Sequence, residues 1–216
     1  MRVPQPEGTK GSLKWLQRAV ERRPDLLALP GLPDIRWLSP LRADDFAEYR
    51  DAAFLERLGR GHLAPELATF WPRGGPQWDA LGLAGDRPVL VEAKAHVGEF
   101  LSPASQAGPA SQARIEAAFA AVQADLGALP RADWTRVFYQ YANRLAHLWW
   151  LHRQGVAAQL CFVSFRGEAD PGIAGPEHAE TWEAVFALAD HVLGLPARHR
   201  LSRHIHHLTP PVAALG

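Results

Sequence analysis

The chain has 216 residues, of which 47% are hydrophobic and 21% charged, a composition typical of globular proteins. This length suits one sizeable domain, and we expect a single domain over residues 1–216. Lysine and arginine total 23, as do aspartate and glutamate, so the formal net charge is zero. The chain is therefore not basic as a whole, and any nucleic-acid site has to be a local patch.

Cysteine content and hydropathy narrow the class of protein further. The single cysteine, Cys161, excludes an intrachain disulfide and a cysteine-based zinc site. The segment 1–10 is polar and lacks the apolar core of a signal peptide, and no apolar run is long enough to span a membrane. We therefore expect a cytoplasmic protein without a membrane partner.

The N-terminal part of the chain is predicted to be mainly helical. Residues 1–11 are expected to be a loose lead-in, followed by a helix over 12–22 with Ser12 as its cap. A short strand comes next, and then the spacing of apolar residues predicts a long helix and a short one. These three elements are predicted at residues 35–38, 43–58 and 65–70.

Two strands, at 77–83 and 88–96, are then predicted to form a hairpin, because the turn between them contains Gly and Asp. Side chains alternate between the two faces of a strand. One face of the second strand is wholly apolar, whereas the other carries Glu92, Lys94 and His96. Buried charges are costly unless they are paired or bind a metal ion, so these residues need a compensating partner.

The C-terminal half is predicted to contain helices on both sides of one further strand. A flexible loop over 102–112 precedes them, and a tail rich in histidine and proline over 198–216 follows them. The helices are predicted at 112–127, 133–153 and 177–193, and the strand at 159–165. Because helices separate the strands, we expect an α/β fold with a central mixed β-sheet flanked by helices.

Asp79 lies on the first strand of the hairpin, and strand pairing is expected to bring its carboxylate near that of Glu92. Two close carboxylates repel and raise each other's pKa, and a divalent cation relieves that repulsion. Mg²⁺ prefers oxygen ligands and keeps several waters. Lys94 follows Glu92 on the same face at roughly 7 Å along the strand, within reach of a phosphate or an attacking water.

Asp79 followed by Glu92-Ala93-Lys94, in a strand–turn–strand setting, resembles the signature of the PD-(D/E)xK, or restriction-endonuclease-like, nuclease superfamily. The resemblance implies a metal-dependent hydrolase that cleaves phosphodiester bonds in DNA. It implies that Asp79 and Glu92 hold Mg²⁺ or Mn²⁺ and that Lys94 assists the attacking water. It also implies an α-β-β-β-α-β core, to which this chain adds further helices.

Additional residues are expected to complete such a site. Many superfamily members add an acid from the helix before the sheet, for which Glu48 is the candidate and Glu21 the alternative. Gln140 is a candidate contact to a metal-bound water or a phosphate. The alternative for these residues is a solvated helix surface. Candidate substrate contacts are Arg144, His96 and Arg73.

Two other functions stay open at this point. One is a non-catalytic nucleic-acid-binding or interaction module that retains the nuclease fold, which suits the neutral charge of the chain. The other is a hydrolase for a different phosphate ester or a nucleotide. DNA is the expected partner, while cleavage mode and oligomeric state are left open, with a homodimer as one option.

Overall fold

The computed structural model describes residues 1–170, 172 and 174–216 of the chain. Its main body is a five-stranded mixed β-sheet flanked by helices, so the predicted α/β class is confirmed. The strands are β1 (Arg2–Val3), β2 (Ile35–Ser39), β3 (Glu48–Tyr49), β4 (Ala80–Ala84), β5 (Arg87–Lys94), β6 (Gln159–Ser164) and β7 (Ile205–Leu208). The helices are α1 (Gly11–Arg22), α2 (Ala52–Arg57), α3 (Ala64–Phe70), α4 (Val97–Phe100), α5 (Pro109–Leu126), α6 (Tyr139–Arg153) and α7 (Ala179–Leu193).

The strand order of the sheet is β2-β4-β5-β6-β7. Strand β4 pairs antiparallel with both β2 and β5, whereas β6 runs parallel to β5 and β7 runs parallel to β6. In chain order, α1 precedes β2, β4 and β5, and α6 comes between β5 and β6. A separate two-stranded ladder joins β1 to β3.

The predicted hairpin is formed by β4 and β5. Ala84 pairs with Arg87, which leaves Gly85 and Asp86 as the turn. Gly85 has a φ of +64°, a conformation that favours glycine because it has no Cβ. The register places Ala80 opposite Val91, so the chain enters β4 beside the part of β5 that carries the charged residues.

The two faces of β5 pack against different helices. Val89, Val91 and Ala93 are buried in a cluster with residues of α1. Leu90 is buried on the opposite side, in the larger cluster that contains residues of α5, α6 and α7. Glu92 lies on the same face as Leu90, since side chains alternate along a strand. Its side chain therefore points toward α6.

The helix predicted over residues 43–58 is wrong. Asp45, Phe46 and Asp51 have φ values between +47° and +53°, which an α-helix cannot contain. Between them lies β3, which pairs with β1 and also bridges to Trp78. Only the end of the predicted segment is α-helical, as α2, and its start is a short 3₁₀ helix over Arg42–Asp44. Tertiary pairing overrides local helix propensity in between.

Several predicted boundaries also differ from the structure. Lys10, and not Ser12, is the N-cap of α1, and its side chain makes no capping hydrogen bond. Helix α5 begins early, at Pro109, whose fixed φ suits a first helical position. Helix α6 begins late because Phe138 has a φ of +50°. Strands β1 and β7 lie in the segments predicted as lead-in and tail.

No helix in the described part of the chain is long and apolar enough to cross a membrane.

His147 of α6 is enclosed by aromatic side chains and is only 1% exposed. The rings of Phe54, Trp71 and Trp78 surround its imidazole. Its Nδ1 lies 2.8 Å from the carbonyl oxygen of Asn143, which can only accept, so Nδ1 carries the proton. Burial lowers the pKa of His147 to about 3, so the folded protein holds this imidazole in its neutral form.

We expect the free energy of unfolding to decrease as the pH falls below about 6.5, the ordinary pKa of histidine. Between that pH and the folded pKa of about 3, the unfolded chain binds a proton at His147 that the folded chain excludes. This single group should cost about 2 kcal/mol of stability at pH 5. Urea unfolding at pH 7 and pH 5 measures the difference.

The variant His147→Gln should lose this component of the pH dependence. Substitution of the exposed His178 by glutamine provides the matched control and should keep it. If His147→Gln and the wild type lose equal stability between the two pH values, the buried neutral imidazole is not the cause.

Candidate functional site

A cleft of about 700 Å³ opens where β4 begins and β5 ends. Helix α6 lies on one side of it, and the loop over residues 103–108 and a second loop over 71–77 contribute to its walls. The predicted site residues that line this cleft are Glu48, Arg73, Asp79, Glu92, Lys94, Gln140 and Arg144. The structure therefore brings most of the predicted site together.

Asp79 comes immediately before β4 and continues its pairing with β5. Its backbone N–H donates to the carbonyl oxygen of Val91 at 3.2 Å, and its Oδ2 accepts from the N–H of Ala93 at 2.7 Å. Among the described residues, its other carboxylate oxygen has no hydrogen-bond donor. The side chain is thus fixed through one oxygen and open through the other.

Glu92 is 4% exposed and accepts hydrogen bonds on both oxygens. Lys94 donates to Oε1, while Arg144 donates to Oε2 from Nε at 2.6 Å and pairs with it through Nη2 at 2.5 Å. Nη2 of Arg144 also donates to the carbonyl oxygen of Gln77 at 2.9 Å, and its guanidinium lies 5.0 Å from the ring centroid of Trp78. Arg144 is therefore an ion-pair partner of Glu92. This pairing uses most of the guanidinium group that the sequence predicted to contact phosphate.

Glu48 reaches the same cleft, although from β3 and not from a helix. Its carboxylate is buried, and Oε2 accepts hydrogen bonds from Nε2 of Gln77 at 2.6 Å and of Gln5 at 3.3 Å. The prediction of Glu48 as an additional acid thus names a residue at the cleft, while its predicted helical setting is wrong. The alternative, Glu21, lies outside the cleft.

The three carboxylates influence one another. Burial, and then the charge of Glu92, raises the pKa of Glu48 to about 6. Burial raises the pKa of Asp79 well above its usual range, and the charges of Glu92 and Glu48 raise it further. Burial would also raise the pKa of Glu92, but the positive charges of Arg144 and Lys94 outweigh this effect and lower it.

Lys94 is held in its charged form by this arrangement. Burial would lower the pKa of its ammonium group, but the charges of Glu92 and Asp79 dominate and raise it. Its Nζ lies 3.3 Å from Oε1 of Gln140, and the N–H of Gln140 donates to Oγ of Ser102 at 3.0 Å. The lysine is therefore oriented by two elements at once, β5 and the start of α6.

Oxygen ligands for a divalent cation are present on three side chains, but they are not equally available. Glu48 and Asp79 each have an oxygen that is not hydrogen-bonded within the described part of the chain, whereas Glu92 uses both. In the same part, no group of three or more acidic, histidine or cysteine side chains is arranged to hold a metal ion. Carboxylate oxygens are the ligand type that Mg²⁺ prefers, but the described residues do not gather them into a ready-made metal site.

Some residues were misjudged or missed from the sequence. His96 is the N-cap residue of α4, its Nε2 lies 3.5 Å from Oε1 of Glu99, and it does not line the cleft. Gln77, Gln5 and Asn143 were not predicted, although Gln77 and Asn143 line the cleft and both glutamines bind Glu48. Gln77 precedes Asp79 by two positions in an extended segment, and that spacing was a usable signal.

Comparison with known proteins assigns no family, since no family model, curated protein or solved structure matches this chain. The fold and the cleft define an α/β protein with three carboxylates and two largely buried cations at the ends of the inner strands of a mixed sheet.

We expect Arg144→Met to lower the free energy of unfolding by about 3 kcal/mol, because it leaves Glu92 buried with only one of its two cationic partners. Adding Glu92→Gln should recover part of this loss, since the uncompensated charge is removed. Urea unfolding of the single and double variants measures both effects.

Arg136→Met is the matched control, because Arg136 is exposed just before α6, and it should change stability by at most about 0.5 kcal/mol. Equal stability of Arg144→Met and Arg136→Met would contradict a structural role for the buried ion pair.

Proposed function

We propose that the protein is a divalent-metal-dependent nuclease related to the restriction-endonuclease-like enzymes, which hydrolyses phosphodiester bonds in DNA. The observation that carries this proposal is the convergence of Asp79, Glu92 and Lys94 from two paired strands on one polar cleft. Glu48 at the same cleft adds a third carboxylate. An acid cluster next to a buried lysine supports chemistry on a phosphate better than it supports binding of a neutral ligand.

The metal we propose is Mg²⁺ or Mn²⁺, held by Glu48 and Asp79 with Glu92 as a further ligand. When bound, such an ion supplies Lewis-acid stabilisation of phosphoryl oxygens and lowers the pKa of a coordinated water.

We propose that Lys94 stabilises negative charge through its ammonium group and does not act as a base. Its ammonium group keeps its proton because Glu92 and Asp79 raise its pKa, so it is suited to stabilise negative charge on the reacting phosphate. Gln140 holds Nζ of Lys94 in place from the α6 side, at 3.3 Å. Removal of the lysine therefore takes away a preorganised positive charge beside Glu92.

Arg144 and Gln77 are proposed to position the carboxylates. Arg144 binds Glu92 and the backbone of Gln77 together, and the side chain of Gln77 binds Glu48. This chain of contacts fixes two carboxylates relative to each other without touching the substrate. Both residues are thus positioning residues in the proposed mechanism.

A second function is favoured by the pairing of Glu92. Both of its oxygens are already neutralised by Lys94 and Arg144, and a purely structural ion-pair cluster needs no metal. The alternative is therefore a non-catalytic nucleic-acid-binding or interaction module that keeps the same fold. Metal binding distinguishes the two, since only the nuclease requires it.

We expect the wild type to cleave plasmid and single-stranded DNA in the presence of Mg²⁺, and Lys94→Ala to reduce the rate by about 100-fold or more. Lys10→Ala is the matched control, because Lys10 is exposed and lies outside the cleft, and its rate should equal that of the wild type. Equal rates for Lys94→Ala and Lys10→Ala would contradict the role given to Lys94.

Calorimetric titration with Mn²⁺ tests the metal separately. Asp79→Asn should abolish binding, whereas Asp34→Asn, at an exposed loop position, should leave it unchanged. A wild type that neither binds Mn²⁺ nor cleaves DNA would favour the non-catalytic module.

A further inference from the structure

A second cavity, of about 810 Å³, borders the same loop as the cleft. Residues 71–75 line both cavities, so one short segment of chain separates them. We call the second cavity the arginine groove, because its lining includes Arg50, Arg73 and Arg114. Arg50 follows β3, Arg73 belongs to the shared loop, and Arg114 projects from α5.

The arginine groove is a positive site on a chain with no net charge. Three arginines and one acidic residue, Asp51, line it. Oδ1 of Asp51 accepts from the backbone N–H groups of Gly74 and Gly75 at 3.0 Å each, and Oδ2 lies 4.0 Å from Nε of Arg50. The excess of two positive charges in one groove is the local basic patch that the overall composition does not provide.

The arginines retain N–H groups that can bind an anion. Among the described residues, the exposed Arg73 has no ion-pair or side-chain hydrogen-bond partner. The exposed Arg114 uses only Nη1, which donates to the carbonyl oxygen of Ala68 at 2.9 Å. Arg50 is partly engaged, because its Nε lies 4.0 Å from Oδ2 of Asp51 and its Nη2 donates to Sδ of Met1 at 3.3 Å. Within the described part of the chain, its Nη1 has no hydrogen-bond partner.

The loop between the two cavities is held in a defined conformation. Asp51 fixes it through two backbone amides, and Gly74 has a φ of +84°, which favours glycine. A Cβ on Gly75 would lie 3.3 Å from the side chain of Trp71, so the loop also packs closely. Arg73 is therefore carried by an anchored segment that borders both the candidate active site and the arginine groove.

We propose that the arginine groove binds the phosphate backbone of a nucleic-acid strand whose reacting phosphodiester lies in the neighbouring cleft. The identity of the ligand rests on the proposed nuclease function, whereas its anionic character follows from the groove itself. Arginine suits phosphate because its planar guanidinium offers paired N–H donors. Backbone contacts of this kind position a strand without reading its sequence, so the groove directs the substrate across Arg73 and into the cleft.

The test is a binding measurement made without divalent metal, so that no cleavage is involved. Fluorescence anisotropy of a labelled single-stranded DNA of about twelve nucleotides gives the affinity between about 50 and 200 mM salt. The variant Arg50→Gln/Arg114→Gln should raise the Kd roughly tenfold at the lower salt concentration. It should also reduce the slope of log K against log salt by about 1.4, since each lost contact to a single strand removes about 0.7.

The single variant Arg114→Gln tests the groove without a risk of misfolding, because Arg114 is exposed on a helix surface. It should reduce the slope by about 0.7. The matched control is Arg131→Gln/Arg198→Gln, which removes the same charge from exposed positions outside both cavities and should bind like the wild type. Equal affinities of the groove and control variants would overturn the proposal.

Competition with polyglutamate separates a nucleic-acid strand from an acidic polypeptide. If polyglutamate displaces the oligonucleotide as well as unlabelled DNA does, the groove binds acidic chains in general and the proposal is overturned. Failure of the wild type to cleave DNA would contradict the nuclease and leave the binding result standing. Unchanged binding by the groove variants would contradict the groove and leave cleavage standing.

Discussion

Glu92 is buried between two cations, Lys94 on its own strand and Arg144 on the helix above, and the cleft is organised around this contact. Burying a carboxylate is costly, and only close, well-directed partners offset that cost. The guanidinium of Arg144 meets this demand and simultaneously ties α6 to the segment before β4 through the carbonyl of Gln77. One ion pair thus joins the central strand, its antiparallel neighbour and the helix layer.

The same contact governs how a cation could enter the site. Three carboxylates share the cleft with two largely buried cations and the exposed Arg73, so the buried part of the cluster has a small excess of negative charge when all its groups are ionised. The pKa values of Glu48 and Asp79 are raised, as expected for buried carboxylates without a close cationic partner. The pKa of Glu92 is lowered because Arg144 and Lys94 contact it. In the proposed mechanism, a divalent ion would therefore compete with Arg144 for Glu92.

Sequence reasoning succeeded where the pattern was local. The alternation along β5 located Glu92 and Lys94 on one face, and the Gly-Asp turn identified the hairpin that brings Asp79 beside them. It failed at β3, because a two-residue strand is defined by pairing with a segment far away in the chain. It also predicted Arg144 as a phosphate contact, since nothing local shows that this arginine is buried beside a partner on β5.

The two carboxylate oxygens of Asp79 have different roles, because only Oδ2 accepts the hydrogen bond from the N–H of Ala93. Oδ2 takes the place of a backbone carbonyl at the end of a strand ladder, so rotation about the Cβ–Cγ bond is arrested when the sheet forms. The entropic cost of orienting this side chain is therefore incurred during folding and not during ligand binding. Whatever approaches the free oxygen encounters an acceptor whose direction the sheet has already set.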